Sequence, residues 1–200
     1  PYSDKENPNV YFSMGITAEN VAKKYNISRK QQQEFAISSH QKAFKAQSEG
    51  NFNNEITVIG NCSKDGNIRP NSNQETLDGL KLAFDQNGSV TAATSSPLTD
   101  GAACVLLMTK ERAESLGLPI LAKIKSYSYT ALDPHDQLLL GPAYAMPQAM
   151  DKAGLTLKDI DFIDIHEAFA AQVLSNLKAL GSKTFAEEKL GKSKAFGDID

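Results

Sequence analysis

Residues 160–181 constrain the fold of this chain more than any other stretch. Ile160, Phe162, Ile163 and Ile165 form a short apolar run with the pattern of a buried strand. From Ala168 the period changes. Ala168, Ala171, Val173, Leu174, Leu177 and Leu180 follow helical spacing, and Gly181 supplies a stop. A strand that feeds directly into a helix is a unit of a layered α/β domain. The polar pair His166-Glu167 falls at the junction, at the strand's carboxyl end, where open α/β sheets place ligands and reacting groups. By itself such a pair is more often a surface turn than a chemical site.

The chain upstream repeats this alternation. Residues 102–108 are a continuous apolar run, as for a strand buried on both faces, with Cys104 in the core. A short helix is predicted over 110–116, ended at Gly117. A second strand is predicted over 119–127, where Ile120, Ala122 and Ile124 alternate with lysines. Residues 130–140 read as a loop with a turn at Asp133-Pro134-His135. A helix then runs from Gly141-Pro142 to Gly154, with Pro147 inside it. Thr156 and Asp159 mark a short capped turn.

The first hundred residues read differently. Residues 1–12 form an extended lead-in. A helix is predicted over 17–25 with Thr17 as N-cap. Ser28 and Gln31 form a capping box for a helix reaching Glu49, with Gly50 as its stop. His40 lies in that helix and reads as a solvated residue. Ser39-His40-Gln41-Lys42 has the S-x-x-K spacing of some acyl-serine enzymes, but the S-D-N and K-T-G segments that accompany it there are absent. A short strand at 55–59, a polar loop at 61–73 and a helix at 76–84 complete this part. Residues 182–200 show no clear element.

Composition narrows the classes. With a net charge of -3 and no basic block, nucleic-acid binding has no support. No apolar run is long enough to span a bilayer, and the amino terminus has no signal-peptide core. The only cysteines, Cys62 and Cys104, are far apart, which suits neither a disulfide framework nor zinc but fits a reducing compartment. Cys62 has no basic or His neighbour in sequence to activate it. His40, His135 and His166 share no i, i+4 pair for a helical metal site. The chain starts without Met, as a fragment or processed product would.

His166-Glu167-Ala168-Phe169-Ala170-Ala171-Gln172, after a strand and before a helix, resembles the Asn-Glu-Ala-Phe-Ala signature of thiolases. His in place of Asn resembles the thiolase β subunits of fatty-acid oxidation complexes. The run from Gly88 through Ser96 followed by Asp100-Gly101-Ala102-Ala103 resembles the loop leading into a thiolase core strand. Ser13-Met14-Gly15 before Thr17-Ala18-Glu19-Asn20 resembles the start of the thiolase loop domain.

The resemblance implies a layered α/β thiolase-like fold, present in part, with an inserted α+β loop domain. Residues 1–96 would be most of that loop domain, 97–115 the end of the N-terminal half and 116–200 the first part of the C-terminal half. It implies an acyltransferase that cleaves 3-ketoacyl-CoA with coenzyme A as substrate, using no cofactor and no metal. Acetoacetyl-CoA thiolase and a non-catalytic acyl-CoA or sterol carrier remain open alternatives. By position, His166 would hold the water of the oxyanion site. Met14, Arg69, Ser96, Ala168 and Phe169 would contact CoA, with a solvated loop charge equally open for Arg69. Neither Cys62 nor Cys104 matches a thiolase cysteine, so these residues alone are expected to be inactive. The implied partners are acyl-CoA, CoA, a second copy in a homodimer or homotetramer, and a hydratase/dehydrogenase α subunit. The implied location is the cytoplasm, or the mitochondrial matrix in a eukaryote.

Overall fold

A helix buried on nearly every side sits in the middle of its neighbours. Ala170–Leu180 is such a helix. Ala170, Ala171, Val173, Ala179 and Leu180 are buried on it, together with Gln172, Ser175 and Asn176. The computed structural model describes residues 11–199. Among them the α-helices are α1 (Met14–Lys24), α2 (Arg29–Ser48), α3 (Gln74–Asp78), α4 (Lys110–Ser115), α5 (Gly141–Ala153), α6 (Ala170–Leu180) and α7 (Lys183–Leu190). α6 packs against α1, α2, α5 and α7.

Two apolar clusters meet along α6. One joins Ala18, Ala22 and Ile27 to Val90, Phe169 and Ala171. The other joins Leu140 and Ala143 to Ala179, Leu180 and Phe185. Small residues let α1 approach α6 closely, and there the Ser175 hydroxyl donates to the Val21 carbonyl at 3.2 Å. Asn176 is fully buried and fully bonded. Its Oδ1 accepts the Ala143 N–H at 2.8 Å, a first-turn group of α5 with no partner in its own helix. Its Nδ2 donates to the Leu139 and Gln172 carbonyls.

Several predicted elements stand as read. Ser28 and Gln31 form both halves of the capping box of α2, and Gly50 follows its end with φ +74°. α5 ends on Gly154 in the left-handed conformation, with Pro147 inside it. Thr156 and Asp159 cap the 3₁₀ turn Leu157–Asp159. The Thr156 backbone N–H, then its hydroxyl, hold the Asp159 carboxyl below its ordinary range.

Other predictions are corrected. α1 starts at Met14, because the Thr17 hydroxyl donates back to the Met14 carbonyl at 2.6 Å and so sits inside the helix, not at its cap. The predicted helix at 76–84 shrinks to α3, capped by Asn73 and ended at Gly79. α7 was not predicted; its signals are Ser182, whose hydroxyl accepts the Phe185 N–H, and Gly191 at φ +65°. The lead-in over residues 1–10 lies outside the described residues.

The largest difference concerns the strands. Among the described residues there are only isolated bridges, Ile59 with Cys62, Leu82 with Thr91 and Ser95 with Phe169. Apart from the Ile59 bridge, the predicted strands at 55–59, 102–108, 119–127 and 160–165 have no pairing partner among the described residues. Leu106 is 77% exposed, Ile124 72% and Phe162 82%. Cys104, expected in the core, is exposed. A strand takes its hydrogen bonds from neighbouring strands, and no ladder joins these segments among the described residues.

Candidate functional site

The site begins with how the loop at 88–97 is fixed. Glu19 on α1 is 8% exposed and points its carboxylate at that loop. Oε1 accepts the Val90 N–H at 2.8 Å and the Ser89 N–H at 3.0 Å. Oε2 accepts the Ser89 N–H at 2.9 Å and the Ser89 hydroxyl at 3.2 Å. Backbone donors thus satisfy a buried carboxylate that would otherwise be costly. Gly88 leaves the room for it, since a Cβ there would lie 2.1 Å from Oε1. Beyond this anchor, residues 91–94 turn through a short 3₁₀ segment capped by Thr91 and Thr94. The chain then meets the signature turn: the Ser96 N–H donates to the Ala168 carbonyl at 2.8 Å, and Ser95 bridges to Phe169.

A second loop, 65–72, folds over α2. Gln47 donates to the Asp65 carbonyl, and the Arg69 N–H donates to His40 Nδ1 at 3.2 Å. His40, read from sequence as solvated, therefore fastens this loop. The Arg69 guanidinium is exposed and is held by its own loop, Nη1 donating to the Gly66 carbonyl at 2.7 Å and to Ile68. Arg29 staples the far wall: its Nη2 donates to the carbonyls of Leu77, Asp78 and Leu80, at the end of α3.

Between α2, these two loops and the signature turn lies an open cleft of about 780 Å³. Phe35, Ala36, Ser39 and His40 of α2 form one wall, Arg69 and Pro70 a second, and residues 92–97 a third. Arg69 and Ser96, two of the predicted contacts, both line it. Ala168 is tied to its rim through Ser96, while Phe169 is buried beneath, edge-on to Phe84 at 6.0 Å. His166 is exposed two residues before Ala168, and among the described residues its imidazole has no hydrogen-bond partner. It is not a core histidine. Met14 opens α1 at 45% exposure and lies outside the cleft lining.

Ser39, which the sequence offers only as part of an S-x-x-K pattern, meets Glu167 of the signature turn. The two line the cleft together, and the Ser39 hydroxyl donates to Glu167 Oε2 at 2.5 Å. The two cysteines take no part. Cys62 Sγ approaches only the Lys64 carbonyl, at 4.0 Å, and neither thiol lines the cleft. Among the described residues no cluster of His, Cys, Asp or Glu could hold a metal ion, and no helix is long and apolar enough to cross a membrane.

Residues 6–111 match the thiolase N-terminal domain and residues 118–197 the thiolase C-terminal domain. The chain belongs to the thiolase family. It is 50% identical over 194 residues to a 3-ketoacyl-CoA thiolase of Escherichia fergusonii, covering 94% of this chain and 44% of that protein. The dimeric peroxisomal thiolase of Saccharomyces cerevisiae superimposes with a TM-score of 0.84 at 38% identity, over 98% of this chain and 50% of that one. The acetyl-CoA acetyltransferase of Bacillus anthracis does so with a TM-score of 0.79 at 37% identity, over 96% and 49%. The fold is therefore the thiolase-like α/β fold, present in part. The chain spans less than half the length of the curated thiolase it matches.

Proposed function

We propose that these residues form the CoA-cradling loops and the signature turn of a 3-ketoacyl-CoA thiolase. Such an enzyme cleaves 3-ketoacyl-CoA with CoA thiol to give acetyl-CoA and a shortened acyl-CoA. The observation that carries the reading is the cleft, which gathers Arg69, Ser96 and the rim residue Ala168 from segments far apart in sequence. Arg69 supplies positive charge toward the phosphate-bearing end of the substrate. Ser96 and Ala168 flank the pantetheine arm, Phe169 fixes the turn from below, and Met14 contributes from the start of α1. CoA acts as a substrate; no cofactor enters this reading.

His166 serves the thioester carbonyl. An unpartnered, exposed imidazole can donate to a water placed at a developing oxyanion, the role an Asn side chain also fills. Cys62 and Cys104 lie outside the cleft lining, so neither is placed as its nucleophile. The covalent chemistry therefore belongs to residues other than these. Residues 1–96 would act as the loop domain, 97–115 as the end of the N-terminal half and 116–200 as the opening of the C-terminal half. The protein is proposed to work as a homodimer in the cytoplasm. An acetoacetyl-CoA thiolase is the second reading, favoured by the likeness to the Bacillus anthracis acetyltransferase.

A chimera tests this. The matched segment of the Escherichia fergusonii thiolase is replaced by the residues of this chain, and thiolysis is measured with acetoacetyl-CoA and with longer 3-ketoacyl-CoA substrates. Turnover of the longer substrates is expected. Turnover of acetoacetyl-CoA alone would favour the second reading. A folded chimera without turnover on either would overturn both.

A further inference from the structure

The turn that carries His166 and Ala168 is held from two sides. On one side it pairs with residues 95–96, through the Ser96 N–H on the Ala168 carbonyl. On the other side stands α2, and among the described residues the hydrogen bond there is the Ser39 hydroxyl on the Glu167 carboxylate at 2.5 Å. We propose that Ser39 is a positioning residue for the site, resting on the reading above: it clamps the His166-Glu167 turn to α2 and sets the width of the cleft.

The placement favours this role over an incidental surface bond. Ser39 and Glu167 are 128 residues apart, so the bond joins α2 to the turn across the cleft wall, not within one local element. Ser39 shares its helix face with Phe35, Ala36 and His40, which line the cleft beside it. A hydroxyl donated to a carboxylate makes a short, charge-assisted bond, stronger than a neutral pair. A site of this kind works when its supporting contacts keep the reacting groups within a fraction of an ångström.

Amide exchange reads the clamp directly, because the Ser96 N–H is bonded to the turn. In the full chain, Ser39→Ala is expected to speed exchange at Ser96 roughly tenfold, the loss of one hydrogen bond to a charged group. Exchange at Leu155, whose N–H is bonded to the Met150 carbonyl in another part of the fold, should not change. Ser39→Thr keeps the hydroxyl and should restore the slow exchange. Glu167→Ala should match Ser39→Ala, and the double variant should exchange no faster than either, the sign of one shared bond. In the chimera, Ser39→Ala should lower kcat for thiolysis more than it raises KM, and Ser39→Thr should recover it. Unchanged Ser96 exchange in Ser39→Ala would overturn the clamp whatever the kinetics. Faster exchange with unchanged kinetics would overturn its role at the site. An inactive chimera would strike the functional reading, while the exchange result would still decide whether the clamp exists.

Discussion

Glu19→Ala should unfold this chain more easily than any change on its surface. The carboxylate is nearly buried, and it accepts two backbone N–H groups and one hydroxyl from the loop that carries Ser96. Alanine leaves the Val90 N–H, at a residue with no exposure, without an acceptor; water can reach the half-buried Ser89. A bond to a charged group contributes about 1.5–3 kcal/mol, and an unpaired buried donor costs about 1–3 kcal/mol. These overlap, so the expected loss is about 3 kcal/mol. For a chain of this length that corresponds to a fall in Tm of roughly 6–12 °C. Glu19→Gln should lose about half as much, since its oxygen can serve one side while its NH₂ faces donors. Gly88→Ala should act in the same direction by pushing the carboxylate away. Urea and thermal unfolding followed by circular dichroism give the comparison. A Glu19→Ala variant within about 0.5 kcal/mol of the parent chain, the range of ordinary surface changes, would refute the reasoning.

Three further outcomes are expected. Asn176→Ala removes three bonds from the fully buried centre of α6 and should cost about 2–4 kcal/mol in denaturant titration; a loss under about 1 kcal/mol would mean that the Ala143 N–H finds another partner. Burial, then the neighbouring Tyr144 and Asp136, push the Tyr25 hydroxyl from 10.0 up to about 12. The folded chain holds that proton more tightly than the unfolded one, so the contribution is complete below pH 10 and is lost as pH rises through 12. Tyr25→Phe should therefore flatten the fall in stability across that window, and an unchanged slope would count against it. The purified 200 residues should not cleave acetoacetyl-CoA with CoA; turnover above background that disappears in Cys62→Ala would reverse the assignment of that thiol.

Much of the helical framework was legible because its signals are local. Ser28 with Gln31, Gly50 and Gly154 mark helix ends through bonds spanning three to five residues. Residues 170–180 announce their helix by periodicity alone. The strands were legible as pattern only. The apolar run at 102–108 is written for burial, yet burial and pairing depend on neighbours that the run does not contain, and Leu106 stays exposed. Arg69, Ser96 and His166 could be picked out through likeness to a family signature. The Ser39 bond to Glu167 could not, because no spacing announces it. His40 was misread for the same reason: its partner is a backbone N–H in a distant loop.

In the proposed enzyme His166 faces the thioester carbonyl of a bound acyl-CoA. The kcat for thiolysis in the chimera, with His166→Ala and His166→Asn, tests it most directly. A donor that acts at the oxyanion is worth roughly 10²–10³ in kcat. His166→Ala should lose about that much with little change in Tm, because the imidazole is exposed and has no hydrogen-bond partner among the described residues, and His166→Asn should regain most of it. A His166→Ala chimera that melts early but keeps its kcat when folded would contradict the claim.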